Sequence, residues 1–289
     1  MNILIFTDYD LDGAGSALFI KWLYKSKITD LIIIEATESS IIPELKNREH
    51  TLDHFDKVFV LDLDLGEEAA ALVDRDNFVI IDHHVPHNKV QSRYKKAKTV
   101  IEEYGSCVGL MHKKFKGSLD LTDAQVELIN YIDDYDSYRL EHKDSLKLNA
   151  IYKTYNNPKT HKFIEAFEDG FRPYTIQEKN SIKLFVTRFK EQLDNQVFIG
   201  TIKDYTAVSI IADFAISEVA NYIISKHNAD IGFVVNLNTK TVSFRRSKTS
   251  EVDVSILARN LCSGNGSPAA AGGKITEQFA ALTKNFMPC

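Results

Sequence analysis

Three short runs of β-branched and other apolar residues each end abruptly in carboxylates or imidazoles. Ile3-Leu4-Ile5-Phe6 runs into Thr7-Asp8-Tyr9-Asp10-Leu11-Asp12-Gly13, Val58-Phe59-Val60-Leu61 into Asp62-Leu63-Asp64, and Phe78-Val79-Ile80-Ile81 into Asp82-His83-His84. Such runs are too apolar for surface loops and read as buried strands. Each strand then delivers its charged groups to its carboxyl end, which in an open parallel sheet is the edge where ligands bind.

Further strands near residues 31–36 and 98–102 alternate with helical patterns near 13–26, 66–74 and 106–116. That alternation predicts an α/β domain, a doubly wound, mostly parallel sheet. The helix expected from residue 13 opens on Gly13-Ala14-Gly15-Ser16, small residues that let backbone approach a phosphate or metal. Residues 139–175 read as mostly helical. A long polar helix pattern, 176–196, separates residues 1–175 from 197–289. Past it, strands near 197–202, 206–210, 231–237 and 241–245 surround a helix near 213–226, predicting a second, smaller mixed α/β domain. A length of 289 residues suits two cores better than one.

Crowded carboxylates repel one another and are costly to bury unpaired. A bound divalent cation removes that cost. Oxygen and imidazole donors without thiolate suit Mn or Mg. Any one aspartate after a strand reads equally well as a helix N-cap, and Asp12-Gly13 as a turn. A fourth cluster, Asp133-Asp134-Tyr135-Asp136, closes a helix expected over 124–138 after the cap Thr122. Four clusters together are harder to explain as caps.

These motifs resemble those of the DHH phosphoesterase superfamily, named for the triplet found here as Asp82-His83-His84. All four N-terminal motifs match, a C-terminal one matches in part, and the resemblance spans nearly the whole chain. It implies a catalytic DHH domain and a substrate-binding DHHA1-like domain, with the active site in the cleft between them. It implies two divalent cations, Mn before Mg, held by Asp8, Asp10, Asp12, Asp62, His83 and Asp134. Asp62 would bridge the cations, which two-metal sites hold about 3.5–4 Å apart, and His84 would face the substrate phosphate. Many members carry a His where this chain has Phe6. Asp8 is expected to substitute, because Asp8-Tyr9-Asp10-Leu11-Asp12-Gly13 resembles the RecJ version of the motif. The C-terminal motif usually holds a His where Gly264-Asn265-Gly266-Ser267 places Ser267. Arg245, Gly266 and Ser267 would contact substrate, and Ser106, at a helix start, would make an anion contact or a plain N-cap. In the fourth motif the resemblance favours Asp134, with Tyr138 as the aromatic four residues later. A regular helix instead groups Val126, Ile129 and Ile132 with Asp133 and Asp136, and Asp136 stays a second candidate.

A net charge of −5 argues against extended duplex binding, though bound cations would still admit short oligonucleotides. Two basic runs, 93–98 and 113–116, read as solvated surface. No apolar run is long enough to span a membrane, and the chain enters a strand at once, with no room for a signal peptide. Cys107, Cys262 and Cys289 suggest a reducing compartment, and the expected location is cytoplasmic. The expectation is a metal-dependent phosphodiesterase or phosphatase for short oligonucleotides, dinucleotides or related nucleotides, with a homodimer left open. One alternative is a RecJ-like single-strand exonuclease, which would usually carry a further nucleic-acid-binding domain. The other is a non-catalytic nucleotide-binding regulator, motivated by Phe6 and Ser267.

Overall fold

The computed structural model describes residues 1–37, 40–84, 87, 90–247 and 249–284. Lys248 and Cys289 lie outside the described residues. The chain divides into two compact units, Met1–Ile182 and Lys183–Cys289.

In the first unit β1 (Asn2–Asp8), β2 (Asp30–Ala36), β3 (Lys57–Leu61), β4 (Phe78–Asp82) and β5 (Lys98–Ile101) form a parallel sheet ordered β2-β1-β3-β4-β5. Ile3, Ile5, Phe59, Leu61 and Ile81 face one layer, built from α1 (Leu11–Tyr24), α4 (Cys107–Phe115), α5 (Asp123–Asp136), α6 (Ser145–Thr154) and α7 (Lys159–Phe167). Leu4, Phe6, Val58, Val60, Phe78 and Ile80 face the other, where α2 (Ile41–Arg48) and α3 (Glu67–Val73) contribute Ile41, Leu45, Ala69 and Val73. A parallel sheet covered on both faces requires consecutive apolar residues, which is why these strands show no alternation. The chain leaves β1 toward β2, then crosses back past β1 to β3. The winding therefore reverses between β1 and β3, the crevice where doubly wound sheets bind ligands.

Side-chain caps set the helix starts at this edge. Asp10 caps α1 by accepting from Gly13 N (2.9 Å), and Ser106 caps α4 by accepting from Gly109 N (3.0 Å). Thr122 and Gln125 form a capping box on α5. Packing requires the glycines of α1. A Cβ on Gly13 would lie 2.3 Å from the carbonyl oxygen of Asp8, and one on Gly15 would lie 2.6 Å from Ile132 Cδ1 on α5. The sequence pattern did not suggest α2, whose Pro43 falls in the first turn, where a missing N–H costs little.

The division between units falls inside α8 (Ile176–Leu193). The second unit holds a mixed sheet ordered β10-β11-β9-β8-β7-β6, in which β7 and β8 run parallel and the other pairs antiparallel. Its strands are β6 (Val197–Ile202), β7 (Tyr205–Ile211), β8 (Ile231–Asn236), β9 (Thr241–Arg246), β10 (Asn265–Gly266) and β11 (Ala270–Lys274). α9 (Ile216–His227) covers one face, joined by Phe189 and Leu193 of α8. α10 (Val254–Cys262) and α11 (Glu277–Thr283) cover the other. The β10–β11 hairpin depends on glycine: Gly266 has φ +147°, and a Cβ on Gly264 would fall 1.9 Å from the carbonyl oxygen of Gly272.

Candidate metal centre

Carboxylates from β1, the start of α1, the end of β3 and the end of α5 converge on His83 at the β1/β3 crevice. His83 Nε2 lies 3.3 Å from Asp62 Oδ1, 3.6 Å from Asp136 Oδ2 and 3.7 Å from Asp12 Oδ2. Asp8, Asp10 and Asp62 form a second group whose ligand atoms lie within 4.8 Å of one another, so Asp62 belongs to both groups. It follows β3 with φ +58°, a left-handed conformation that aspartate tolerates and that here turns the carboxylate into the crevice.

The imidazole of His83 is set to ligate. Its Nδ1 is 3.1 Å from the carbonyl oxygen of Tyr104. A carbonyl only accepts, so Nδ1 carries a proton and Nε2 is the ring atom turned toward the three carboxylates. Asp12 is anchored differently: it accepts from Cys107 N (2.6 Å) and Val108 N (2.9 Å) in the first turn of α4.

The electrostatics are those of a site short of positive charge. Burial pushes the Asp12 carboxyl up to about 6; His83 opposes that rise, and Asp10 and the two N–H bonds work in opposite directions to each other. Burial also raises Asp62 well above the carboxylate range, reinforced by Asp12 and Asp10. Asp136 is raised well above it too, by burial and then by the same two neighbours. Carboxylates held together against their own repulsion, with an imidazole nitrogen among them, fit divalent cations with oxygen and nitrogen ligands. Cys107 adds no thiolate, because burial pushes its thiol well up and it donates to the carbonyl of Ile81 (3.3 Å).

His84 stands beside this cluster in another role. Its Nδ1 meets Asp82 Oδ1 at 2.8 Å, and Asp82 is fully buried. Burial works to lower His84, but the bond to Asp82 and the charges of Asp82, Asp12 and Asp64 outweigh it and raise the ring to about 9. His84 is therefore an imidazolium at neutral pH, with Nε2 as its remaining donor. The other oxygen of Asp82 meets His87 Nδ1 at 2.7 Å, and His87 Nε2 meets the Tyr94 hydroxyl at 2.8 Å. Sequence reading missed His87 and Tyr94. The signal was a third imidazole five residues after Asp82, while Tyr94 was hidden in a run read as solvated basic surface.

Two expected residues lie elsewhere. Asp134 is not among the clustered carboxylates. It is 1% exposed and accepts from Glu141 N (3.0 Å), His142 N (3.0 Å) and Ser145 Oγ (2.5 Å). Burial works to raise it, but these donors outweigh burial and hold it below the usual range. Asp136, two residues on, takes the place expected for it, as the regular helix wheel had grouped it. Ser106 is no anion contact: fully buried, it caps α4 and donates to Asp133 Oδ1 (2.6 Å). Phe6, where many members have His, is fully buried in the core.

In the second unit Arg245 on β9 pairs in register with Ala270 on β11 and donates to Ser217 Oγ (2.8 Å) on α9 and to the carbonyl of Phe244 (3.0 Å). Ser267 closes the β10–β11 turn, its N–H donating to the carbonyl of Ala270 (2.8 Å) while its Oγ accepts from Ala270 N (3.1 Å). Gly266 on β10 and Ser267 in the turn after it are thus separated from Arg245 on β9 by β11.

Residues 2–137 match the DHH family, N-terminal domain. The match takes in the motifs that end in Asp62, Asp82-His83-His84 and Asp136. No curated relative matches the chain. Among solved structures, a pGpG-specific phosphodiesterase from Vibrio cholerae is similar with TM-score 0.62 at 14% identity, covering 99% of this chain and 97% of the other. An exopolyphosphatase-related protein from Bacteroides fragilis is similar with TM-score 0.53 at 15% identity, covering 98% and 90%. RecJ from Thermus thermophilus in complex with Mn2+ is similar with TM-score 0.58 at 11% identity, covering 98% of this chain but 51% of RecJ. At these identities the likeness is one of fold. No helix among the described residues is long and apolar enough to cross a membrane.

Proposed function

We propose that the protein hydrolyses phosphoester bonds in short oligonucleotides, dinucleotides or related small nucleotides, with two divalent cations, Mn before Mg, as cofactors. The observation that carries this reading is the shared position of Asp62 between two ligand groups. Asp8, Asp10 and Asp62 would hold one cation; Asp12, Asp62, His83 and Asp136 would hold the other. Bound there, the cations supply charge neutralisation and lower the pKa of a water. The N–H groups of Cys107 and Val108 fix Asp12, and the carbonyl of Tyr104 fixes the His83 tautomer. The His84 imidazolium donates to a non-bridging phosphate oxygen and offsets charge that grows during displacement. Asp82 keeps that ring protonated and aimed. Arg245 and the β10–β11 turn, with Gly266 and Ser267, are the proposed contacts to the remainder of the nucleotide. The fold shared with the Vibrio phosphodiesterase supports the small-nucleotide reading.

A second reading, single-strand exonuclease action, is favoured by the run Asp8-Tyr9-Asp10-Leu11-Asp12-Gly13 and by the fold shared with RecJ. One panel separates the two. With Mn added, a nucleoside 3′,5′-bisphosphate, cyclic dinucleotides, RNA dimers to pentamers, long single-stranded DNA and pyrophosphate are each assayed, with and without chelator. Faster turnover of dimers than of long strands is expected. A preference for long strands selects the exonuclease, and no turnover of any substrate leaves a nucleotide-binding regulator.

A further inference from the structure

Among the described residues, one cation near the turn that carries Asp8 and Asp10 has no carboxylate partner. Lys159 opens α7, and among the described residues it has no ion pair. Its Nζ lies 4.8 Å from the ring centroid of Tyr9 and 5.8 Å from that of Tyr152. Tyr9 stands between Asp8 and Asp10, two of the clustered carboxylates, so the ring that the ammonium covers belongs to the turn that carries them.

The arrangement is built rather than incidental. The Tyr9 hydroxyl donates to Asn157 Oδ1, across 148 residues of sequence, and fixes the ring that the ammonium covers. Glu35 at the end of β2 lies close to the same turn, yet it accepts from Thr160 N (2.6 Å). Tyr152 is 2% exposed, so one of the two aromatic faces is a wall of the core. A lysine on an aromatic face keeps its charge and its N–H donors available to a further partner. In a centre otherwise rich in carboxylates, that partner must be an anion brought by the ligand. A lysine ammonium is a point-charge phosphate binder with no need of planar geometry.

We propose that Lys159, steadied by Tyr9 and Asn157, forms a subsite for a second, non-scissile phosphate of the nucleotide, and so selects substrates carrying a terminal phosphate. This rests on the reading of the centre as a phosphoester site, but its test is a binding measurement and does not need turnover. A phosphorothioate-linked dinucleotide, with and without a 5′-phosphate, is titrated calorimetrically into wild type, Lys159→Met and Lys159→Arg with Mn present. Lys159→Met is expected to weaken the phosphorylated ligand about tenfold, the effect of one charge-assisted contact at a half-exposed position. The unphosphorylated ligand and Mn affinity should change little, and Lys159→Arg should restore the difference. Equal affinities of wild type and Lys159→Met for the phosphorylated ligand would overturn the subsite, as would equal weakening of both ligands. Loss of Mn binding in Lys159→Met would do the same, because it would make the lysine part of the metal scaffold. Selective weakening in a protein that hydrolyses nothing in the panel would keep the subsite and remove the hydrolase reading.

Discussion

Helix α5 ends with two aspartates, Asp134 and Asp136, two residues apart, in opposite surroundings. Asp134 faces the chain that leaves the helix and takes two N–H groups and a hydroxyl; its carboxyl is held low. Asp136 faces the sheet edge and meets Asp12, Asp10 and His83 Nε2; its carboxyl is pushed high. Burial acts upward on both. What separates a structural carboxylate from a ligand candidate is whether the protein provides donors to its oxygens.

That contrast fails first if the crowded carboxylates are not metal ligands. Chelator should abolish activity. Asp62→Asn should lose on the order of 10²-fold or more in kcat/KM, because Asp62 belongs to both ligand groups. Asp64→Asn should lose less. Full activity in excess chelator, with no metal retained by elemental analysis, would break the comparison outright.

The two aspartates of α5 can then be set against each other. Asp136→Asn should weaken Mn binding by about 10- to 100-fold while making the metal-free fold more stable, since it removes a repelled charge. Asp134→Asn should bind Mn normally but destabilise the fold by about 1–3 kcal/mol, the cost of breaking a satisfied buried acceptor. Calorimetry and thermal melts on both variants decide it. If their effects are exchanged, the assignment of ligand and anchor is reversed.

Much of this was legible beforehand. Consecutive apolar residues announced β1, β3 and β4, because burial on both sheet faces leaves no polar position to interrupt them. The carboxylates after those strands announced the crevice, because strand ends fix where the next few residues point. The end of α5 was less readable: its wheel grouped Asp136 correctly but set Asp133 beside it, whereas Asp133 accepts from Ser106 and Arg139. The Asp134 anchor depends on the backbone of Glu141 and His142, and no residue-type pattern encodes backbone donors. The contacts of the α1 glycines were hidden for a related reason. A small residue marks close approach, but the approaching atoms, Asp8 O and Ile132 Cδ1, are known only from the fold. In the second unit α10 and the short β10–β11 hairpin lacked length to show periodicity.

His87 offers a finer test of what holds the other half of the site. It is fully buried and binds the oxygen of Asp82 that His84 does not. His87→Leu should lower kcat about tenfold with KM little changed, by loosening Asp82 and with it His84. His87→Asn keeps an N–H donor near the same place and should recover most of the loss. Equal loss in both variants, tracking a fall in melting temperature, would reduce His87 to a core residue.

The smallest expected effect is in the pH dependence of the metal-free fold. Asp12 rises from its ordinary value to about 6 on folding, and Asp62 and Asp136 are raised as well. Between about pH 4 and 6 the folded chain binds protons that the unfolded chain has released, so stability falls as pH rises through that window. Asp62 and Asp136 act in the same direction. His84 acts in the same direction: raised to about 9, it contributes stability fully present below its unfolded value and lost as pH rises through 9. Asp82 and Asp134, held low, lose their contributions only as pH falls below the ordinary carboxylate range, outside this window. Cations that neutralise the cluster compete with those protons and should remove most of the slope. The gap in melting temperature between Mn-loaded and chelated protein should therefore widen by a few degrees from pH 5 to pH 8. A gap independent of pH would mean that the crowded carboxylates are not the groups the cation neutralises, and Asp136 would then differ from Asp134 in position alone.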